Sequence, residues 1–307
     1  MPILRAYLLP HPPLAVPDVG RGDEKKIKKT LAALDEAASD IAALAPETII
    51  FVTPHNVLYA DYFHISPGAG ATGDLTRFNE RATRFKAEYD AGFAAEIISL
   101  AERESLPAGS LGERDAQLDH GVTVPMWYID RRYSGYKSLR ISQSGLDSSN
   151  HYRLGQMIAQ AAENTGRKAV LVASGDLSHR LLRGSSHGYA PEGEKFDAAL
   201  TQALSTGDFL SLFKIPDDLR ERAAECGYNS VMVLAGCFDR RRVSAKLLSY
   251  EGPFGVGYAV ISVAPGEPDD RRDILEQYAK ITLAEARGRR DTEDPYRALA
   301  RAYDSGR

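Results

Sequence analysis

Residues 169–179 read Ala169-Val-Leu-Val-Ala-Ser-Gly-Asp-Leu-Ser-His179. Five apolar residues without a charge, closed by a turn of small polar ones, read as a strand buried on both faces, the kind found in helix-covered sheets. The rest of the chain repeats this alternation of short β-branched runs and longer amphipathic ones, the pattern of an α/β domain. Further strands are expected at Ile3–Leu9, Thr48–Thr53, Tyr62–Ser66, Leu139–Gln143, Val243–Tyr250 and Gly257–Val263. The clearest helix is predicted over Glu24–Ala45, where Ile27, Leu31, Leu34, Ile41 and Leu44 share one face at three- and four-residue spacing. Glu24, Lys25, Lys26, Lys28 and Lys29 then form its solvated side. Other helices are predicted at Ala82–Glu104, Asn150–Asn164, Glu194–Ser205 and Asp217–Ala224, and from just after Gly227 to Cys237. Pro265, Gly266 and Pro268 break the pattern, and the remainder is dense in Asp, Glu and Arg. The organisation expected is a main domain over about residues 1–265 and a charged helical tail or linker over 266–307.

The chain has 307 residues, 43% hydrophobic and 26% charged, with a net charge of −4. Such a balance lacks the basic excess needed to grip phosphate backbones, so nucleic acid is not an expected partner. No apolar run approaches the ~20 residues of a membrane span, and Met1-Pro-Ile-Leu-Arg lacks the build of a signal peptide. Two cysteines, Cys226 and Cys237, make no disulfide framework, so a cytoplasmic location is expected.

Seven histidines remain to be explained. His11 follows the first strand in Leu9-Pro-His-Pro-Pro, His55 follows the second in Thr53-Pro-His-Asn, and His179 closes the Ala169–His179 stretch. His120 falls in Leu118-Asp-His-Gly-Val-Thr-Val-Pro, read as a loop. Ligands of open α/β sheets bind at the carboxyl ends of strands, so imidazoles delivered there by separate strands point to one pocket. His64 reads as a strand residue, and His151 and His187 as surface or loop positions. Two neutral imidazoles with one carboxylate, leaving a metal face open, are the ligand set of non-haem Fe(II) enzymes that handle O₂. Glu225, amid small and apolar residues in Ala223-Ala-Glu-Cys-Gly-Tyr-Asn, is a carboxylate with little reason to be buried unless paired or metal-bound. Its plainer reading is a Glu favoured by a helix N-terminus. Cys226 beside it is a rival soft ligand.

Other motifs fail their context. Gly68-Ala-Gly-Ala-Thr-Gly73 spells G-x-G-x-x-G, but no amphipathic helix follows at once, so a flexible loop is expected there rather than a dinucleotide site. A serine hydrolase using Ser174 or Ser178 with His179 lacks a G-x-S-x-G elbow and sets the nucleophile too near its base. Neither H-E-x-x-H nor a Walker loop occurs.

Leu9-Pro-His-Pro-Pro-Leu, Thr53-Pro-His, Leu118-Asp-His-Gly, Ser174-Gly-Asp-Leu-Ser-His, Glu225-Cys-Gly and Ser249-Tyr-Glu-Gly-Pro-Phe-Gly-Val-Gly-Tyr occur in that order. Together they resemble the LigB-type family of class III extradiol ring-cleavage dioxygenases, in the branch associated with AMMECR-type domains and related to Memo proteins. The resemblance implies a three-layer α/β/α fold around a mixed sheet with a metal pocket at one edge. It implies Fe(II) bound by His11, His55 and Glu225, with His179 as acid/base and His120 contacting substrate or oxygen. The activity implied is ring cleavage of a catechol-type or related diol with O₂. Tyr228 and Asn229 are expected at the substrate from their nearness to Glu225 in the sequence. The alternative is a Memo-like, non-catalytic metal-binding or interaction protein, in which Cys226 ligates and Zn or Cu replaces iron. The branch also allows a homodimer and association with an AMMECR-type domain, whose opening helix is weakly echoed by Asp294-Pro-Tyr-Arg-Ala-Leu-Ala-Arg-Ala-Tyr.

Overall fold

A computed structural model of the protein describes residues 2–112 and 117–293. The apolar run beginning at Ala169 forms strand Ala169–Ser174, buried at all six positions. In chain order the strands are β1 (Ile3–Leu9), β2 (Thr48–Thr53), β3 (Phe63–His64), β4 (Gly70–Asp74), β5 (Arg84–Glu88), β6 (Ala108–Gly109), β7 (Lys137–Ser142), β8 (Ala169–Ser174), β9 (Arg241–Glu251) and β10 (Tyr258–Pro268). Six of them form one sheet in the order β7-β2-β8-β1-β10-β9. The first four in that order are mutually parallel, while β10 pairs antiparallel with β1 and with β9, so the sheet is mixed.

Alternation along these strands divides the interior into two cores. Ala6, Leu8, Ile50, Val52, Leu171 and Ala173 point to one face. Tyr7, Leu9, Ile49, Phe51, Val170 and Val172 point to the other. The main packing helices are α1 (Lys28–Leu44), α2 (Ala91–Arg103), α3 (His120–Asp130), α4 (Ser148–Thr165), α5 (Pro191–Thr206) and α6 (Tyr228–Gly236). Helices α2, α4, α5 and α6 cover the first face. Helices α1 and α3 cover the second. Helices on both faces of one mixed sheet give the expected three layers. On α1 the predicted apolar stripe does the packing, with Leu34 and Ile41 fully buried.

Several local expectations are corrected. The region read as one helix from Ala82 is first a strand, because Phe85 and Ala87 alternate inward against outward Arg84, Lys86 and Glu88. The helix starts only at Ala91, where the Asp90 carboxylate accepts the Phe93 N–H at 3.1 Å. The glycine-rich Gly68–Gly73 stretch is no loop, since Gly70–Asp74 pairs with Arg84–Glu88 as a hairpin. His151 is wholly buried. Glu24 is turned inward, its carboxylate accepting the Gly22 N–H. Near the C-terminus β10 continues to Pro268, and a helix at Ile274–Glu293 follows. It begins against the main body, with Ile274 buried and Tyr278 stacked on Phe213 at 4.6 Å between ring centroids. The stretch from Asp294 that echoes an AMMECR-type helix lies outside the described residues.

Helices α4 and α6 touch backbone to backbone. A Cβ on Gly155 would lie 2.1 Å from the Val233 carbonyl oxygen, and one on Gly236 would lie 2.0 Å from that of Tyr152. A single added methyl must therefore part the helices, and overpacking of this kind costs about 2 kcal/mol. Gly236→Ala is expected to lower the urea midpoint at an unchanged slope.

Candidate metal centre

The site lies at the carboxyl ends of the parallel strands. His11 follows β1, His55 follows β2, Gln143 follows β7, and Gly175 to His179 follow β8. His11 Nε2 stands 3.0 Å from His55 Nε2 and 3.7 Å from Cys226 Sγ. Among the described residues these three donors form the group able to hold one ion, all within 4.8 Å of one another. Zinc-type bond lengths and tetrahedral angles place two nitrogens about 3.3 Å apart and a nitrogen about 3.6 Å from a sulfur, so the residues fit a transition metal.

A proline determines which nitrogen of His11 is available. Pro125 lies inside α3 and has no N–H for the carbonyl four residues back, Gly121. That carbonyl accepts the Ser174 hydroxyl instead, at 2.5 Å. Having given its proton away, Ser174 Oγ accepts from His11 Nδ1 at 2.8 Å. Nδ1 therefore carries the hydrogen and Nε2 presents a lone pair, the arrangement a metal ligand requires. The His11 backbone N–H is held by Asp176 at 2.9 Å.

Cys226 is set on the other side by two glycines. A Cβ on Gly175 would lie 2.1 Å from the Gly227 Cα, so only glycines let these two turns meet. The Cys226 N–H then donates to the Asp176 carbonyl at 3.3 Å, and its own carbonyl accepts from Gln143 Nε2 at 2.8 Å.

Glu225, the expected third ligand, is turned away. Ala224 takes a left-handed conformation at φ 54°, redirecting the chain after the short helix Asp217–Ala223. The Glu225 carboxylate then accepts the Tyr228 N–H at 2.7 Å, at the start of α6, and pairs with Arg220 at 3.3 Å. The plainer reading of this residue, at a helix N-terminus, is the one this geometry follows. Tyr228 and Asn229, expected at the substrate, belong to the same knot. Arg220 lies 3.7 Å over the Tyr228 ring and donates to Asn229 Oδ1 at 3.1 Å, while the buried Tyr228 hydroxyl donates to the Leu212 carbonyl.

The two other expected histidines do reach the centre. His120 opens a helix rather than lying in a loop, and its ring stacks on His55 at 4.1 Å, with Phe78 edge-on at 5.4 Å. His179 Nδ1 donates to the Ala224 carbonyl at 2.5 Å, leaving its Nε2 as an acceptor. Beside the histidines lies a cavity of about 160 Å³ lined by His55, Arg77, Phe78, Gln117, Asp119 and His120 among others.

Burial disfavours the charged form of the four imidazoles at the centre. Burial, then neighbouring His55, His120 and His179, hold His11 well below the ordinary histidine value. Burial likewise lowers His55 and His179, and takes His120 down to about 3. Burial pushes the Cys226 thiol up, a direction that a bound cation reverses. Asp176 is raised by burial to about 7.

Sequence reasoning misses several contributors. Ser174 reads there as a failed nucleophile rather than as a hydrogen-bond relay. Asp176 and Asp119, the latter accepting from Thr53 at 2.6 Å, carry no signal of their own. His187 is exposed, as its surface or loop reading expects, and its ring lies 5.2 Å from that of His179. One signal is available for Ser174: Pro125 follows Gly121 by four residues and so frees a carbonyl within any helix there.

Residues 5–261 match the family described as the catalytic LigB subunit of aromatic ring-opening dioxygenase. The chain belongs to the LigB family. A Clostridium acetobutylicum protein is 37% identical over 303 residues, an alignment covering 96% of this chain and 64% of the relative. This LigB-family chain thus spans less than two thirds of that relative's length. A MEMO1 family protein of Methanosarcina acetivorans is 26% identical over 155 residues, covering 47% of the chain and 55% of the relative. A 4,5-DOPA dioxygenase extradiol of Beta vulgaris is 25% identical over 214 residues, covering 67% and 75%. A crystal structure of an Escherichia coli K12 protein shares the fold, with TM-score 0.57 at 14% identity over 84% of this chain and 99% of that one. Among the described residues of this LigB chain no helix is long and apolar enough to cross a membrane.

The raised value of Asp176 has a pH consequence in metal-free protein. The unfolded carboxyl loses its proton near pH 4 while the folded one keeps it to about 7, so stability falls as pH rises across that interval. Asp176→Asn retains an acceptor for His11, and the thermal midpoint of this variant is expected to decline less between pH 4 and 7 than that of the wild type.

Proposed function

We propose that this LigB-family chain is a metal-dependent oxidoreductase of the extradiol type, holding its ion with His11, His55 and Cys226 and taking a small diol-like molecule beside it. The observation that carries this reading is the gathering of the His11, His55 and Cys226 donors, with His120 stacked on His55 and His179 near enough to act electrostatically on His11. When bound, a redox-active ion such as Fe(II) supplies electron transfer between the diol and O₂. The chain's own residues do the rest. His179 accepts the proton of a diol hydroxyl at Nε2, its Nδ1–H held on Ala224 so that the ring cannot turn. His120, neutral and stacked on His55, offers a hydrogen bond to a developing negative oxygen. Phe78 narrows water's access from the side of His120.

The thiolate favours a second reading. Soft sulfur donors select Cu(I) or Zn over Fe(II), and with such an ion the pocket is that of a metal-binding or interaction protein of the Memo-like kind. The 4,5-DOPA dioxygenase relative supports the first reading and the MEMO1 family relatives the second.

Anaerobic reconstitution with Fe(II), Zn(II) or Cu(I), followed by elemental analysis and O₂ uptake with catechols and aminophenols, separates the two. Wild type is expected to consume O₂ with iron and a diol, and a His11→Ala, His55→Ala double variant is not. Equal uptake by both removes ring cleavage for the compounds tried. Cys226→Ala should lose the metal, whereas Glu225→Ala should keep it and give up about 1 kcal/mol of stability as the α6 cap goes. Retention by the first and loss by the second would restore Glu225 as ligand. Ser174→Ala frees the His11 tautomer, and metal affinity is expected to fall by about 10- to 100-fold, as for other outer partners of ligating histidines.

A further inference from the structure

The last histidine of the chain stands between His179 and solvent. The chain leaves the His179 turn and comes back as a closed loop: Leu181 and Tyr189 bridge antiparallel, and the Ala190 N–H donates to the Arg180 carbonyl at 3.0 Å. Ser185 ties the loop from inside, its hydroxyl 3.0 Å from the Leu182 carbonyl and 3.1 Å from that of Gly188. The loop is seated on the turn that precedes β10, where the Leu181 N–H donates to the Gly255 carbonyl at 3.0 Å and a Cβ on Gly255 would lie 2.7 Å from that of Ser185. So held, the exposed His187 sets its ring 5.2 Å from that of His179 between centroids, inclined by 60°.

His179 exchanges protons at one nitrogen. Its backbone N–H donates to the Ala223 carbonyl at 3.0 Å and its Nδ1–H to the Ala224 carbonyl at 2.5 Å. An amide carbonyl accepts a hydrogen bond but does not take the proton, so Nε2 is where the ring gains a proton and where it must lose it. Burial, opposed by the bond to Ala224, lowers His179 below the ordinary histidine value, so a proton gained there is readily given up.

We infer that His187 is the proton exit of this site, receiving from His179 the proton that a diol hydroxyl loses on binding and handing it to solvent. This rests on the reading of His179 as the base that meets the diol. One O–H bond breaks and the diol keeps the electron pair as a monoanion. His179 returns to neutral when His187 takes the proton, and His187 returns to neutral when it releases to buffer; no electron moves. Contacting rings are close enough for transfer through a hydrogen bond or one water, and imidazole is the side chain that gains and loses a proton near neutral pH. The other ionisable groups on this side do not compete. Arg180 donates to the Arg222 carbonyl at 3.3 Å and Arg183 lies 5.3 Å over the Tyr189 ring, and a guanidinium is always protonated.

The test reads proton release rather than turnover. Full-length protein loaded with redox-inert Zn(II) is mixed anaerobically with catechol in dilute buffer near neutral pH, and an indicator dye follows the proton in a stopped flow. Wild type is expected to release a proton as catechol binds. His187→Ala, a change at an exposed position, should bind catechol with the same affinity and release the proton about a hundredfold more slowly, the lower end of what a positioned acid–base group contributes. Free imidazole should restore the rate, and Arg183→Gln on the same loop should leave it unchanged. An undiminished rate in His187→Ala, or a slow one that imidazole does not restore, overturns the inference. His179→Gln separates this from failure of the reading beneath it. Release lost in His179→Gln but undiminished in His187→Ala removes the exit alone, whereas release that persists in His179→Gln, or none in wild type, removes His179 as the base and the exit with it.

Discussion

The centre depends on one missing hydrogen. Pro125 cannot donate to the Gly121 carbonyl, the Ser174 hydroxyl takes that place, and His11 is thereby left with its lone pair on Nε2. Three elements far apart in the sequence are tied by it: helix α3, the end of β8 and the turn after β1. In most helices an internal proline is a defect that leaves an orphan acceptor. Here the orphan is the first link of a chain that ends on a nitrogen of the candidate metal group. Water in the place of Ser174 would satisfy the carbonyl equally well, but it would not hold an imidazole in one tautomer.

The second constraint is desolvation. Four imidazoles share a space in which burial lowers each of them, so the pocket carries lone pairs rather than charge. Two nitrogens 3.0 Å apart can share a single proton or a single metal ion, but they cannot remain two bare lone pairs. The same desolvation keeps Cys226 protonated without a cation, so metal entry and proton release are coupled.

Much of this was legible in the sequence. Strands β1 and β2 fall where their apolar runs predict, because a strand buried on both faces carries a dense signal. His11, His55 and His179 could be placed near one sheet edge because strand ends converge in this class of sheet, whereas His120 comes there from the start of α3 and stacks on His55. The hairpin of β4 and β5 is hidden, since five residues of period-two alternation are short beside the helix they precede. The choice between Glu225 and Cys226 could not be read at all. Adjacent residues point in different directions only once the backbone is known, and here Ala224 in the left-handed region and the Gly175–Gly227 contact set Cys226 beside His11 and turn Glu225 to Arg220.

Strand order gives the site a thermodynamic character of its own. β8 lies between β1 and β2, so His11 and His55, 44 residues apart along the chain, are neighbours only after a strand from much later in the sequence has been inserted between theirs. Cys226 arrives later still. No local fragment holds the three donors together, and an ion held by all three binds the finished sheet and not its parts. Its binding energy is therefore shared by the whole domain: at a free concentration about a hundred times its dissociation constant, such an ion adds about 2.7 kcal/mol to global stability. An ion at this candidate centre would in this sense be a lock on the completed topology.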